Sequence, residues 1–244
     1  MKRLLLTLML LPATLAAQTE ASDSAATAVD RYLEMLNPYG LPKDSMLVME
    51  TVITTQGDPD TLRMTRWFAE GEMFRVEVRH DDELLTGLCS NGQNRHRQYN
   101  RQNGWWEDLP QEELTAMLVG YDWRGPLFDW RRKGALLTWN GTSMLKGHKM
   151  LVVKVVMPGM YDRNYLFDAQ TGLLTLVVES ATENGTPARI RGHHIEWRSM
   201  HEYMPLGESL IPSLESFVRN KTLTVLATTM HFEKTDTHLF NRDK

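Results

Sequence analysis

Eight histidines and one cysteine are the side chains in this sequence best equipped for chemistry, and their spacing gives them little to do. His193 and His194 are adjacent, and in a strand neighbouring side chains point to opposite faces, so the two cannot chelate one ion. There is no HExxH pair and no paired Cys/His spacing, so no zinc site is expected. Cys89 has no second cysteine to bond and lies in the apolar run from Glu83 to Ser90, which suits an inert buried thiol better than a nucleophile. A G-x-S-x-G elbow, a P-loop and a G-x-G-x-x-G turn are all absent. Asp162, Asp168 and Glu179 fall at turns or on polar strand faces, where a solvated carboxylate is the default over an acid/base pair. No catalytic residue, metal or cofactor is expected. A hydrolase would need a close pair of buried carboxylates or a His–acid pair that the spacing does not reveal.

The unusual side chains are apolar. The chain holds fifteen methionines and seven tryptophans. Met46, Met49, Met64, Met117, Met150, Met157 and Met230 fall on expected strands or an expected helix, and a thioether chain repacks around irregular apolar surfaces. Trp105, Trp106, Trp123 and Trp130 cluster in one stretch. Residues of this kind make either a packed core or the lining of a ligand cavity, and spacing leaves both open. A formal charge of -4 offers no basic surface, which argues against a nucleic-acid partner. With a single cysteine there is no disulfide framework, and the core must supply the stability.

These side chains have to be positioned by a long run of strands. Residues 1–17 read as a signal peptide: Lys2-Arg3, an apolar run from Leu4 to Leu15 too short to span a bilayer, and Ala16-Ala17 for cleavage. No cysteine follows it for lipidation, so the mature chain is expected in the periplasm as a soluble protein. Residues 18–27 read as a flexible leader, 28–235 as a single domain and 236–244 as a polar tail. Val29, Leu33 and Leu36, with Tyr32 beside them, share one face of a helix from Ala28 to Leu36. Strands are expected over 46–55, 61–69, 73–80, 83–90 and 93–100, the last two flanking Asn91-Gly92 as a tight hairpin. Phe74, Val76 and Val78 alternate with Arg75, Glu77 and Arg79, which predicts one apolar and one wet face.

A helical insertion is expected from Leu109 to Lys133, with Leu114, Met117 and Leu118 on one face of its first helix and a second short helix from Pro126 to a Gly134 cap. Beyond it the pattern gives a strand over 135–139, a turn at Asn140-Gly141, and a three-strand meander from His148 to Ser180 that turns at Asp168 to Gly172. Asn184-Gly185 predicts a hairpin. The last strands are expected over 189–198, 207–219 and 222–233, with Pro212 at an edge or bulge. Asn140, Asn184 and Asn220 each open an Asn-X-Thr triplet, which turn chemistry explains without a sugar. An antiparallel sheet this long must curl or close to bury its apolar face.

The segment LPQEEL followed by RGPLFDWRRKG, the pair Asn140-Gly141 and Lys146-Gly147 leading into paired strands, the hairpin YLFDAQTGLL and the late EYMPLGESLIPSLESF resemble, in this order and spacing, the outer-membrane lipoprotein-sorting family of LolA/LolB-like periplasmic carriers. The resemblance covers most of the chain after residue 17. It implies a mainly β fold with a few helices: a curved antiparallel sheet forming an unclosed, half β-barrel covered by a helical lid. It also implies a non-enzymatic, monomeric carrier whose cargo is an acylated lipoprotein or lipid, passed between membrane-bound donor and acceptor proteins. In the family an Arg-Pro in the loop before the third strand helps latch the lid. Here that loop carries Glu70-Gly71, so the latch does not carry over. The residues expected to face the acyl chains are Leu62, Met64, Phe68, Phe74, Val76, Val78, Leu114, Met117, Leu118, Val152, Phe167 and Leu176. The second reading is a sensor or interaction module on the same scaffold, reading envelope lipids and reporting to a membrane partner.

Overall fold

In the computed structural model, residues 11–37, 40–93, 96–109, 122–158, 161–179, 182–183, 186–187, 195–219 and 221–241 are described. One helix, α1 (Leu11–Leu36), opens them. The strands before residue 109 are β1 (Ser45–Thr55), β2 (Thr61–Ala69), β3 (Met73–His80), β4 (Glu83–Asn91), β5 (His96–Asn100) and β6 (Trp105–Asp108). After residue 134 come β7 (Leu136–Leu145), β8 (His148–Met157), β9 (Tyr161–Asp168) and β10 (Leu174–Glu179). A short pair, β11 (Thr182–Glu183) and β12 (Thr186–Pro187), precedes β13 (Ile195–Leu206), β14 (Ser209–Arg219) and β15 (Thr222–Lys234). Thirteen of these strands form one antiparallel sheet in the order β6-β5-β4-β3-β2-β1-β15-β14-β13-β10-β9-β8-β7, which is not closed into a barrel. The expected fold class is therefore the observed one. Among the described residues no helix is long and apolar enough to cross a membrane. The chain divides into two compact units, residues 1–35 with 129–192 and residues 36–128 with 193–244.

In the first unit, consecutive antiparallel pairing joins β7 to β8, β8 to β9 and β9 to β10. Val153, Val155, Tyr165, Phe167 and Val177 are buried, and Tyr32 of α1 lies against Phe167 with ring centroids 5.3 Å apart. Ala25, Ala28, Val29, Tyr32 and Leu36 form the buried stripe of the helix at 3.6-residue spacing. The helix reaches back through residues 18–27, which the sequence reading gave to a leader; no proline or glycine interrupts the chain between Ala13 and Leu36, and its many alanines favour helix. Arg31 fastens α1 to the β9–β10 turn, its guanidinium donating to the carbonyls of Ala169 at 3.0 Å and Gln170 at 2.7 Å. That turn forms as its composition predicts, with Asp168 Oδ1 accepting the backbone N–H groups of Gln170 and Thr171, both at 2.8 Å.

Asn140-Gly141 is not the turn the sequence suggested. It is a bulge inside β7, where the register shifts between Trp139 and Thr142. A left-handed glycine serves a bulge as readily as a turn. The hairpin instead closes at Lys146-Gly147, both with positive φ (50° and 87°), as a two-residue turn of the primed class requires. The segment from Asp122 to Gly134 is a chain of turns rather than the expected second short helix. Asp129 adopts φ 51°, which breaks helical geometry four residues after Gly125. Residues 110–121, where the first lid helix and Leu114, Met117 and Leu118 were expected, lie outside the described residues, as do Asn184-Gly185 and His193-His194.

The second unit is a nine-strand run from β6 to β13 around the β1–β15 ladder. Asn91-Gly92 does not close a tight hairpin. Asn91 continues β4 by pairing with Met73, and β5 pairs back only from His96. Gly92 has φ 75°, and a Cβ there would lie 1.8 Å from the Gly71 carbonyl oxygen. Pro212 behaves as expected: β15 pairs with β14 only over Leu214–Arg219, so the missing proline N–H falls beyond that ladder, beside the bulges of β13.

The largest departure is the face predicted to be wet. Arg75 is 4 % exposed and Glu77 7 %. The alternation is correct, but the face is covered. Met46, Val48, Ala69 and Phe240 form a buried cluster there, so the segment expected as a polar tail ends in a 3-10 turn (Thr237–Phe240) packed on the sheet. Arg75 Nε donates to Glu77 Oε1 at 2.7 Å and Nη1 to the Leu239 carbonyl at 2.9 Å, and the guanidinium carbon sits 4.6 Å from the centroid of the Trp106 ring. Arg79 holds the other oxygen of Glu77, at 3.0 and 3.1 Å. Burying charges costs several kcal/mol per ion unless they are paired and fully hydrogen-bonded, which this arrangement accomplishes. Gly87 makes room for it, since a Cβ there would meet Trp106 at 2.6 Å.

Two outcomes are expected. Replacing Gly92 with alanine should destabilise the protein by about 2–3 kcal/mol in urea unfolding, because the backbone must leave both its left-handed conformation and its contact with Gly71. Asp168 has its carboxyl pKa lowered, first by the Thr171 N–H and then, against opposing burial, by the Gln170 N–H, the Thr171 hydroxyl and His148. Its contribution is therefore complete above the ordinary aspartate range of about 4 and is lost as pH falls through the lowered value. The stability difference between the native chain and Asp168→Asn should be present at neutral pH and shrink on acidification, measured as urea midpoints against pH. A difference that grew on acidification would contradict the assignment.

Candidate apolar binding face

The residue pairing sorts the second unit into two faces. On one face, β2 places Leu62, Met64, Arg66 and Phe68 opposite Ile53, Thr51, Met49 and Leu47 of β1. On the other side of β2, the same residues meet His80, Val78, Val76 and Phe74 of β3. Leu47, Met49, Phe68, Phe74, Val76, Ile211 and Met230 form one buried cluster on this face, each 8 % exposed or less. Half-buried Met64, Leu88, Met204 and Leu206 extend it along the strands. Leu41, Leu109 and Trp123, from segments outside the strands, pack on top. Leu109 and Trp123 flank residues 110–121, so the covering comes from both ends of the expected lid.

A polar row interrupts the apolar field. Thr51 and Thr228, both buried, face each other across β1 and β15 with hydroxyls 2.9 Å apart, and Arg66 Nη2 donates to Thr51 Oγ1 at 3.1 Å. A second pair, Thr55 and Thr224, lies two rows further on at 3.2 Å. The row Met49/Met230 is thus apolar, the next row, Thr51/Thr228, polar, and the row beyond it, Ile53/Leu226, apolar again. A groove of about 580 Å³ crosses these strands. Its exposed members, among them Glu50, Val52, Arg63 and Thr229, belong to the opposite face by register, and only Met64 is shared with the expected site. The Phe68 face itself is closed by packing, and a bound chain would have to part Leu41, Leu109 and Trp123 from the cluster.

The expected site residues divide as follows. Met64, Phe68, Phe74 and Val76 come together in or against the buried cluster, with Leu62 and Val78 half-buried on the same face. Phe167, Val152 and Leu176 belong to the first unit. There Phe167 pairs with Leu151 on the face that Tyr32 covers, whereas Val152 and Leu176 both pair with Leu166 on the reverse face. In β8 Lys154 alone breaks the apolar run from Met150 to Met157, and it falls on the Val152 face. Leu47, Met49, Ile211 and Met230 are central but were not among the expected site residues. Leu47 and Met49 stand opposite Phe68 and Arg66 in the local β1–β2 hairpin, whereas Met230 is brought beside Met49 only by the pairing of the first strand with the last.

Among the described residues two serine–histidine pairs come within hydrogen-bonding distance. Ser90 Oγ is 2.9 Å from His96 Nδ1, and Ser216 Oγ is 2.7 Å from His201 Nε2. Both serines are buried, at 0 % and 4 % exposure, and Ser90 also accepts the Gly92 N–H, so neither hydroxyl is presented to a substrate. Burial lowers the His96 pKa. His148 Nδ1 approaches Asp168 Oδ2 at 3.2 Å, but that carboxylate organises the β9–β10 turn. Among the described residues no three acidic, histidine or cysteine side chains are grouped to hold a metal.

No protein-family profile matches the chain, and neither does any curated protein. Solved structures match it closely in fold. A LolA superfamily protein from Nitrosomonas europaea superposes with a TM-score of 0.58 at 11 % identity, over 89 % of this chain and 97 % of the other. A DUF1329 family protein from Desulfovibrio piger gives 0.57 at 11 % identity, over 89 % and 97 %. A domain named for outer membrane lipoprotein sorting, from Vibrio parahaemolyticus, gives 0.57 at 11 % identity, over 92 % and 97 %. Along about nine-tenths of its length the chain therefore has the fold of the LolA-like open antiparallel sheets.

Proposed function

We propose that this protein is a non-catalytic carrier that takes up the acyl chains of a lipoprotein or related lipid on the Phe68 face of its second unit. It would work in the periplasm, between a membrane-bound donor and an acceptor at the outer membrane. The observation that carries the reading is the methionine-rich cluster under residues that flank the lid segment. Met49 and Met230 lie within it and Met64 and Met204 against it. Thioether chains can re-form their packing around an inserted chain without one fixed geometry. The likeness to a lipoprotein-sorting domain supports the same reading from the side of the fold.

The energetics suit uptake and release. Each methylene removed from water contributes about 0.8 kcal/mol, so about eight of them supply roughly 6 kcal/mol before the cost of displacing Leu41, Leu109 and Trp123. Part of the gain is offset because the empty face is already closed, which favours moderate affinity and transfer over permanent capture.

Native mass spectrometry of the protein purified from the periplasm is the first test. Bound mass from acyl-bearing molecules is expected, lost on delipidation and regained with a synthetic triacylated lipopeptide. Met64→Asp, at a half-buried position on this face, should weaken lipopeptide binding at least about tenfold, the equivalent of 1.4 kcal/mol. Val52→Asp, on the opposite face and 44 % exposed, should leave it unchanged. A folded protein that binds no lipopeptide, or one equally affected by both substitutions, would mean that the Phe68 face is packed core and the carrier reading fails.

A further inference from the structure

The two ends of the long sheet are built differently. At one end β6 is four residues long and carries Glu107 and Asp108, with Asp108 paired to Arg97 at 3.1 Å. At the other end β7 is ten residues long and has neither a charged residue nor a proline. Its pairing is with β8 alone, so the outer side has no strand partner among the described residues. Proteins usually blunt such an edge with lysine, proline or shortness, because alternate residues aim unpaired N–H and C=O groups outward. Here the only such device is the bulge at Asn140-Gly141. Leu136 and Met144, near the two ends of the strand, are 61 % and 66 % exposed, far more than an apolar side chain of the sheet needs to be.

We propose that the outer edge of β7 is a docking strand. Its occupant is an extended segment of another protein that adds antiparallel to β7 and carries acidic residues at its N-terminal end. Charge selects this occupant. Lys146, in the turn after the strand, and Lys149, which pairs with Met144 from β8, are both exposed, and neither holds an ion pair among the described residues. An antiparallel segment brings its N-terminal end to them. At the start of the strand, by contrast, Arg131 and Arg132 are already matched by Asp30 and Asp129, each at 3.3 Å. A second copy of this chain fits poorly, because its β7 has no acidic residue to meet Lys146. The central hydroxyls of Thr138, Thr142 and Ser143 accept a partner strand of threonine and β-branched residues, the side chains that pair best on a pleated surface.

The probe is a fluorescein-labelled peptide with two glutamates at the N-terminus followed by about eight alternating threonines and valines, followed by anisotropy with the purified full chain. It should bind, and more weakly as salt is raised. Moving the glutamates to the C-terminus, or replacing them with lysines, should weaken binding about tenfold. The double variant Lys146→Asp, Lys149→Glu, which touches only exposed side chains, should reverse the preference so that the lysine peptide binds best. Met144→Lys, also at an exposed position, should weaken every peptide. Equal binding of all peptides, no binding, or a preference that survives the charge reversal would overturn the proposal. So would a concentration-dependent dimer in sedimentation velocity that Met144→Lys dissolves, which would assign the edge to a second copy.

Discussion

The larger unit depends on one interaction, the eleven-pair ladder between its first strand and its last. β1 and β15 lie side by side along their whole length, and both faces of the unit are built outward from them. On one face the ladder contributes Leu47, Met49 and Met230 to the apolar cluster and sets the polar pair Thr51 and Thr228 beside it. On the other it contributes Met46 and Val48, against which Phe240 packs. A one-residue slip would exchange these two sets, placing Val48 and Val52 among the methionines and exposing Met49. The buried threonine pair is a register device, since the two hydroxyls meet only in the observed alignment.

The opposite face shows how charge can be buried in a sheet. Arg75 and Glu77 sit two residues apart on one strand, so their side chains lie on the same side and can pair locally. What makes their burial tolerable is distant: Trp106 from the sheet edge and the Leu239 carbonyl from the end of the chain. The guanidinium thus ties together three stretches that the sequence separates widely.

That distance explains what the sequence could and could not reveal. Period-two alternation located β1, β2, β3, β8, β9 and β10 within a residue or two, because each strand carries its own signal. The same alternation assigned Arg75 and Glu77 correctly to one face but left it wet, since nothing local records that residues 106 and 239–240 return to cover it. Asn140-Gly141 was ambiguous for a backbone reason, a left-handed glycine being common to bulge and turn. For the candidate site, Met64, Phe68, Phe74 and Val76 were legible from their own strands. Phe167 and Val152 lie on opposite faces by the β8–β9 register, and within β8 only Lys154, on the Val152 side, marks the difference.

The two units also differ in what must happen in time. In the first, every strand from β7 to β10 pairs with its immediate successor in the chain, through hairpins that close over a few residues. In the second, the central contact, Thr51 with Thr228, spans 177 residues. Local pairings form early and cheaply, whereas long-range ones wait on loop closure and fold slowly. A chain emerging from a ribosome or a translocation pore can therefore complete its β7–β10 meander while β1 still lacks β15. During that interval β1 shows an open edge and an apolar face, and a chaperone that shields this one strand would act on the slowest step of folding.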